Sequence, residues 1–496
     1  MAARGEPERE TANAAAVVPR LPDGRVLVGE RTHSARSWPG TVAFPGGGLE
    51  ELDRHLPLLE GERLPLETRA ARACALRELG EEVALWRLAR ADGHRDPDVT
   101  ARAARALNEG AALDEVLARE ELVLDDRGLV PLTLWRVPSG RFAVQQFLLA
   151  VDREPELGRP ATEELAALRW QRPAELLTDW RAGRAFLLSP IRRVLSGLAA
   201  HERDLQAALR LLSQPPTETE RARLDLVEGA CVLAARSLTL PPATHTNAVL
   251  LGGLAGAAYL VDPAAGFADE RARFDRLLES ALGGRPLTAI VCTHHHGDHV
   301  GDVARLAQRL GVPVWAHRAT AEAVPFRVDR LLEEGEHLDT AWSSFRLVHT
   351  PGHARGHLCL FDERTRLLVA GDMIAAEGSI LIDPDEGHMG QYLESLDRLI
   401  ALEPRGILPA HGPLIASGEA RLREQRVHRE LRQQRVEQAA RDATVADITR
   451  AVYGADTPAA MLPFAERSVL AALRWAAERG AAQEQDGRWT VRSLTL

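Results

Sequence analysis

The sequence predicts an α+β protein of several domains, and three observations support this class. A chain of 496 residues is too long for one hydrophobic core, so we expect two to four domains. Short apolar runs alternate with helical stretches between about 227 and 420, as in sheets packed between helices. The last part is mostly helical and ends in the hairpin signal Asp486-Gly487.

These patterns divide the chain into four segments. We predict a mixed α/β domain over 11–200, a helical linker over 201–226, a second mixed domain over 227–420, and a helical, winged-helix-like tail over 421–496. The linker is indicated by Pro-Pro-Thr at 215–217 within a polar helical sequence. No apolar run approaches a membrane span, and the first residues lack the apolar core of a secretory signal. We therefore expect a cytoplasmic protein that does not cross a membrane.

Composition excludes several kinds of chemistry. All 61 basic residues are arginine, which excludes phosphate-binding loops and Schiff bases that depend on a lysine amine. The net charge of −10 argues against indiscriminate binding to nucleic acid. The four cysteines form no Cys-x-x-Cys pair, so neither a disulfide framework nor a zinc ribbon is expected.

The sequence CTHHHGDHVGD, from Cys292 to Asp302, predicts a metal site. It joins a β-rich run to a helical stretch, so its side chains can converge in a loop. Further ligands must follow other strands, and three candidates each follow or end a β-like run next to Gly or Pro. The candidate set is His294, His296, Asp298, His299, His353, Asp372 and His411. Imidazole and carboxylate without thiolate favour Zn²⁺, with Mn²⁺ or Fe as substitutes.

The alternative is that these are ordinary surface or core residues with no shared role. Seven potential metal ligands in this order argue against it. Taken singly, His349, His357 and His388 are better explained as surface or core residues. Residues 294–299 read HxHxDH, and with His353, Asp372 and His411 they resemble the metallo-β-lactamase superfamily pattern over about 200 residues.

This resemblance implies an αββα sandwich with a dinuclear zinc centre that activates a bridging water. His294, His296 and His353 would hold the first metal, Asp298, His299 and His411 the second, and Asp372 would bridge them. His295 would point away, and Asp298 would also be catalytic. The hydroxyacylglutathione hydrolase and beta-lactamase-like endoribonuclease branches look most similar, on "PATHTN", "GDMI" and "YLESLDRL". His388 departs from them, since Asp is usual at its position.

A second constellation lies in the first domain. The sequence FPGG at 44–47 precedes RELGEEVAL at 77–85, and a helix there would put Glu78, Glu81 and Glu82 on one face. Three adjacent carboxylates favour Mg²⁺ or Mn²⁺, which commonly bridge a diphosphate substrate. The alternative is a solvated helix face with Arg–Glu pairs.

These two motifs resemble a Nudix box, and "LVGERTHSARSWPGTVAFPGG" is similar to the coenzyme A diphosphatase branch. The resemblance implies an α/β/α sandwich in which Glu78, Glu81 and Glu82 bind the metal, and Glu81 and Glu82 help to activate water. Substrate would contact Arg31, Arg36, Gly46 and Gly47. Two departures bear on activity, because Arg69 replaces an outer Glu and Ala84 replaces a Gly that ends the helix.

In the tail, arginine recurs every third residue from Arg423 to Arg435. This stripe predicts either a solvated helix face or a surface for phosphates.

The sequence thus predicts a hydrolase with two metal sites. One hypothesis is cleavage of a small ester or thioester, paired with Mg-dependent hydrolysis of a nucleoside diphosphate derivative such as coenzyme A. The other is an endoribonuclease for single-stranded RNA with a degenerate, ligand-sensing Nudix domain. The oligomeric state is left open by the sequence.

Overall fold

The computed structural model describes residues 12–32, 35, 38–136, 143–376, 378–454 and 457–491. These residues fall into two compact units, one within 1–181 and 185–226 and the other within 182–184 and 227–496. Arg36, predicted to contact substrate, lies outside the described residues. No helix among the described residues is long and apolar enough to cross a bilayer.

The first unit contains nine strands and seven helices among its described residues. The strands are β1 (Ala14–Arg20), β2 (Val26–Arg31), β3 (Val42–Ala43), β4 (Gly46–Gly48), β5 (Leu88–Arg90), β6 (Leu122–Leu124), β7 (Leu129–Arg136), β8 (Ala143–Ala150) and β9 (Leu165–Gln171). The helices are α1 (Leu66–Val83), α2 (Pro97–Asn108), α3 (Leu113–Glu120), α4 (Pro173–Arg181), α5 (Ser189–Ala200), α6 (Leu205–Leu212) and α7 (Glu218–Ala222).

Helices cover both faces of a seven-stranded sheet in this unit. The strand order is β3-β2-β1-β8-β7, with β4 paired to β1, β9 paired to β2, and β1 parallel to β8. Adjacent residues of a strand face opposite sides, so Val17 packs in the core that contains α1 and Val18 in the core that contains α4 and α5. The result is a three-layer α/β/α arrangement.

The segment 201–226 packs on the first unit. Helix α6 buries Ala208 and Leu212 in the same core as α4 and α5. After Pro-Pro, Thr217 and Glu220 form a reciprocal capping box that begins α7. Hydrophobic burial therefore fixes a segment whose polar sequence predicted a connector.

The second unit has two large sheets. The first has the order β10-β11-β12-β13-β14-β15-β16 and the second β17-β18-β19-β20-β21. The strands are β10 (Leu224–Val227), β11 (Ala230–Arg236), β12 (His245–Leu251), β13 (Tyr259–Val261), β14 (Ala289–Cys292), β15 (Val314–His317), β16 (Arg330–Leu332), β17 (His337–Asp339), β18 (Ser344–His349), β19 (Leu358–Asp362), β20 (Leu367–Gly371) and β21 (Gly406–Pro409). The helices are α8 (Ala268–Leu282), α9 (Gly297–Val300), α10 (Val303–Leu310), α11 (Arg318–Ala323) and α12 (Met389–Ala401).

Two parallel strand pairs position the candidate ligands. Strands β13 and β14 are parallel, so their carboxyl ends lie at one edge of the first sheet. Strands β20 and β21 are likewise parallel in the second sheet. The HxHxDH loop follows β14, Asp372 follows β20, and His411 follows β21 by two residues.

The tail belongs to the second unit and has its own core. It consists of α13 (Gly418–Ala439), β22 (Arg441–Thr444), α14 (Val445–Tyr453), α15 (Leu462–Glu478), β23 (Ala482–Gln485) and β24 (Arg488–Val491). The strands pair in the order β22-β24-β23, and Ile448, Leu473 and Trp489 are buried between them and the helices. The hairpin β23–β24 turns at Asp486 and Gly487, both with positive φ, which is the geometry that an Asp-Gly turn favours.

Candidate metal centre

The HxHxDH loop is anchored by Asp262, the residue that follows β13. Its carboxylate accepts hydrogen bonds from the Thr293 backbone N–H at 2.7 Å and from the Thr293 hydroxyl at 2.5 Å. Asp262 itself has φ +49°, in the left-handed region that Asp tolerates better than most residues. This anchor sets the position at which the histidine loop leaves the sheet.

Three predicted ligands converge in the first half of the site. The Nδ1 atom of His296 lies 3.1 Å from Nε2 of His294 and 2.9 Å from Nε2 of His353. His294 and His353 are buried, whereas His296 is partly exposed. Three imidazole nitrogens therefore face one small volume.

The other predicted ligands form the second half. Asp298, His299 and His411 present ligand atoms within 4.8 Å of one another. Asp372 lies between the halves: its Oδ1 atom is 3.3 Å from His299 Nε2 and 3.4 Å from His411 Nε2, and its Oδ2 atom is 3.5 Å from His353 Nε2. The structure thus brings all seven predicted residues together.

The outer ring nitrogens of these histidines are engaged by acceptors. The Nδ1–H of His353 donates to the Leu381 carbonyl at 2.8 Å, and that of His411 donates to the His245 carbonyl at 3.0 Å. A carbonyl can only accept, so the proton lies on Nδ1 and the lone pair of Nε2 faces inward.

Carboxylates and a hydroxyl engage the remaining three rings. Asp262 accepts from His299 Nδ1 at 2.9 Å, and Glu386 accepts from His296 Nε2 at 2.9 Å. Thr293 gives its own proton to Asp262, so its oxygen accepts from His294 Nδ1 at 3.0 Å. All five histidines are therefore oriented with a lone pair toward the centre, as metal ligands require.

The electrostatics of His294, His353 and Asp298 also fit metal ligands. Burial, reinforced by neighbouring histidines, lowers the pKa of His294 well below its usual value, and burial lowers the pKa of His353 to about 4. Burial would raise the pKa of Asp298, but the hydrogen bond with His411 and the charge of His299 outweigh it and hold that pKa at about 2. At neutral pH His294 and His353 are therefore neutral imidazoles, and Asp298 is ionised.

Two buried atoms of the cluster make no hydrogen bond of good geometry. They are Nε2 of His299 and Oδ1 of Asp372, which contact each other only as an ion pair at 3.3 Å. Leaving such polar atoms unsatisfied in the interior is costly unless another group binds them. The donor set of imidazoles and carboxylates fits Zn²⁺ and related divalent metals.

Sequence reasoning missed three residues around this centre. Asp262 orients His299, Glu386 orients His296, and the buried His357 accepts a hydrogen bond at Nε2 from the Asp372 backbone N–H at 3.0 Å. Asp262 could have been found from the sequence, because it ends a β-like run just as the predicted ligands do. His295 lies outside both halves, with Nε2 3.3 Å from Glu386.

The predicted magnesium ligands of the first unit lie at the end of α1. Arg77 donates to Glu78 and Glu81, both at 2.9 Å, and pairs with the buried Asp53 at 2.9 Å. Glu82 accepts from the Gly46 backbone N–H at 2.8 Å. Among the described residues, Glu78, Glu81 and Glu82 do not form a group of three ligand atoms that all lie within 4.8 Å of one another.

The glycines of FPGG allow this approach. A Cβ atom on Gly47 would lie 2.3 Å from a Glu78 oxygen, and one on Gly46 would lie 2.4 Å from the Ala15 carbonyl oxygen. Burial raises the pKa of Glu78 to about 7 and that of Glu82 to about 8, with the neighbouring carboxylates adding to the effect. Arg31 is close enough to Glu82 for its charge to lower that pKa partly.

Ala84 and Arg69, the two departures from the Nudix box, have different surroundings. Ala84 ends α1 with φ +56°, and its N–H bonds to the Gly80 carbonyl. This left-handed conformation is the one that Gly adopts without strain, so the sequence-based concern about Ala84 is justified by its geometry. Arg69 is partly buried on the same helix.

The arginine stripe of α13 is largely occupied by contacts within the chain. Arg423 pairs with Glu419, and Arg426 pairs with Asp397 and Glu430. The other contacts are Arg429 stacked over Tyr392 and Arg432 stacked over Tyr453. Arg435 is exposed. Four of the five arginines in the stripe therefore have partners within the described chain.

Comparison with known proteins defines the class of the second unit. Residues 241–411 match the family model of the Metallo-beta-lactamase superfamily, and residues 444–489 match that of the Beta-lactamase associated winged helix domain. The first match contains all seven predicted ligands. The chain therefore carries a metallo-β-lactamase domain followed by a winged-helix domain, and the predicted class of hydrolase is confirmed.

Curated relatives share this domain. A hydroxyacylglutathione hydrolase of Acidiphilium cryptum (strain JF-5) is 32% identical over 177 residues, or 35% of this chain and 66% of that protein. The beta-lactamase-like protein 2 homolog of Caenorhabditis elegans is 28% identical over 176 residues, or 34% of this chain and 58% of that protein. The chain spans about half the length of other hydroxyacylglutathione hydrolases that it matches, 45% and 47%.

The chain also matches a solved structure of a different class. A solved NUDIX hydrolase from Alicyclobacillus acidocaldarius is 26% identical, covers 42% of this chain and 100% of that chain, and gives a TM-score of 0.34.

Proposed function

We propose that the second unit hydrolyses a small thioester or ester at a dinuclear zinc centre. The observation that carries this proposal is the convergence of five oriented imidazoles and two carboxylates on one small buried volume. The similarity to hydroxyacylglutathione hydrolases supports a thioester as the substrate class.

In this proposal His294, His296 and His353 would hold one metal, Asp298, His299 and His411 the other, and Asp372 would contact both. When bound, two such metals lower the pKa of a water toward neutrality and polarise the scissile carbonyl. The partly exposed Asp298 is ionised at neutral pH, so its carboxylate can accept a hydrogen bond from the attacking water and orient it. Asp262, Thr293, Glu386 and two backbone carbonyls keep the imidazoles oriented throughout.

We further propose that the first unit is a Mg²⁺- or Mn²⁺-dependent diphosphatase for a nucleoside diphosphate derivative such as coenzyme A. Support comes from the three glutamates at the end of α1 and from Gly46 and Gly47, which leave room for them. Glu81 and Glu82 would activate water there, and Arg31 lies near enough to meet a phosphate.

A second candidate for the metallo-β-lactamase domain is an endoribonuclease acting on single-stranded RNA. The attached winged-helix domain favours it, since such domains often contact nucleic acid. In that case the first unit would be a degenerate sensor of a nucleotide ligand. Against this candidate, four arginines of the α13 stripe already have partners within the chain.

The test is metal content by elemental analysis of the wild type and of Asp372→Ala, with turnover of a thioester, a short RNA and coenzyme A. We expect about two zinc atoms per chain, lost in the variant together with thioester cleavage while coenzyme A cleavage persists. Wild-type protein without bound transition metal would refute the dinuclear centre.

Salt dependence separates the two candidates. RNA cleavage that falls steeply with salt, without thioester cleavage, would favour the nuclease, because phosphate contacts are lost as counterions compete. Cleavage of a small thioester should change little with salt.

A further inference from the structure

One segment of the second unit contacts both the metal centre and the winged-helix domain. We call Ile380 to His388 the bridging segment. On the metal side, the Leu381 carbonyl accepts from His353 and Glu386 accepts from His296 Nε2. The His388 backbone N–H also bonds to the Gly352 carbonyl at 2.7 Å, next to His353. Two ligands of the first half are thus oriented by this segment.

On its other side, the bridging segment is held by helix α15. Arg467 pairs with both Asp383 and Asp385. Arg474 donates to the Pro384 carbonyl at 2.8 Å and to Asp385 at 3.1 Å. A single surface ion pair contributes little to stability, but here two arginines bind two aspartates and a backbone carbonyl in one network. The backbone that carries Glu386 is thereby fixed to the winged-helix domain.

Glu386 matters because His296 differs from its neighbours. His296 presents Nδ1 to the first half, whereas His294 and His353 present Nε2. Coordination through Nδ1 requires the proton on Nε2, and a carboxylate acceptor 2.9 Å from Nε2 favours that tautomer. The Glu386 side chain is 49% exposed, so without an anchored backbone its carboxylate would be free to turn into water.

We propose that Glu386 is a positioning residue for the first metal and that Arg467 and Arg474 hold it in place, so that the winged-helix domain supports metal binding. This inference rests on the proposed dinuclear centre. The role of Glu386 is to fix the ring of His296 and not to touch substrate.

The first test is zinc affinity of the full chain, measured by competition with a chelator. We expect Glu386→Ala to weaken one of the two zinc sites about 10-fold, the lower end of the range for outer-sphere partners of metal ligands. Glu386→Gln, which keeps an acceptor oxygen, should restore part of the loss. Cobalt-substituted protein gives a second readout, because a reoriented His296 changes the visible absorption of the first site only.

The second test asks whether the arginines act through Glu386. The double variant Arg467→Ala/Arg474→Ala should weaken the same site, and adding Glu386→Ala should cause little further loss. The matched control is Arg450→Ala, since Arg450 pairs with Asp447 inside α14. Zinc affinity of the control should equal that of the wild type.

Four outcomes would overturn the inference. Unchanged zinc affinity in Glu386→Ala, with two zinc atoms in the wild type, would refute it and leave the proposed function intact. Fully additive losses would show that the arginines act elsewhere. A third zinc atom lost in Glu386→Ala would make His295, His296 and Glu386 a metal site of their own. Absence of zinc from the wild type would refute the proposed function as well.

Discussion

Oδ2 of Asp262 lies 2.9 Å from Nδ1 of His299, and both side chains are buried. The carboxylate thereby directs the other nitrogen of the ring toward Asp372, 3.3 Å away. Burial would lower the pKa of His299, but Asp372 and Asp262 outweigh it and raise that pKa. One residue outside the HxHxDH sequence thus orients a ligand of the second half.

We expect Asp262→Asn to weaken the second metal site by about 10- to 100-fold, because an amide is a poorer acceptor for the His299 N–H. Chelator competition on the full chain measures this loss, and circular dichroism checks the fold. Asp269→Asn is the control, since Asp269 is exposed and pairs with Arg236. Two zinc sites of unchanged affinity in Asp262→Asn would contradict the assigned role.

The stability of the first unit should depend on pH and on Mg²⁺. Burial raises the pKa of Glu78 to about 7 and that of Glu82 to about 8, so the folded state holds protons that the unfolded state releases above its ordinary carboxyl pKa. Without divalent metal, stability should therefore fall as the pH rises from 5 to 8. Mg²⁺ should raise the melting temperature more at pH 8 than at pH 6 if it binds the ionised glutamates.

Glu78→Gln/Glu82→Gln removes both titrating groups and is the matched control for this experiment. The pH dependence and the effect of Mg²⁺ should both become smaller in this variant. An equal Mg²⁺ effect in wild type and variant would mean that the cation binds elsewhere.

Ala84→Gly should stabilise the end of α1 by about 1 kcal/mol, because Ala84 is held at φ +56° and Gly adopts this conformation without strain. Hydrogen exchange of the peptide spanning 66–85 measures the local opening and should slow about 5-fold. Ala118→Gly in the interior of α3 is the opposite control and should speed local exchange there. Faster exchange in Ala84→Gly would contradict the strain argument.

Arg77→Met should destabilise the first unit by about 3–5 kcal/mol, since it leaves the buried Asp53 without its charged partner. It should also abolish the proposed diphosphatase turnover, because Glu78 and Glu81 lose their shared donor. Urea unfolding and coenzyme A turnover are the measurements. Arg102→Met, which removes an exposed pair with Glu120, should cost below about 1 kcal/mol. Similar losses of stability in Arg77→Met and Arg102→Met would refute the distinction between the buried and the exposed ion pair.

The sequence by itself predicted the order and identity of the seven candidate metal ligands, which the structure brings together. Each ligand segment follows an apolar strand-like run, and the ends of parallel strands share a sheet edge, so local pattern was enough to predict that Asp372 and His411 meet. The hairpin at Asp486-Gly487 was predictable for a similar reason, since its turn geometry depends on two adjacent residues.

Only the tertiary structure decided which side chains support these ligands. Glu386 reaches His296 across 90 residues of sequence, and His357 meets Asp372 through a backbone bond that no spacing rule contains. The stripe on α13 was ambiguous because an arginine pattern does not reveal whether Asp397 or Tyr392 lies opposite it. Periodicity reports the face on which a residue lies, whereas its partner depends on which elements pack against that face.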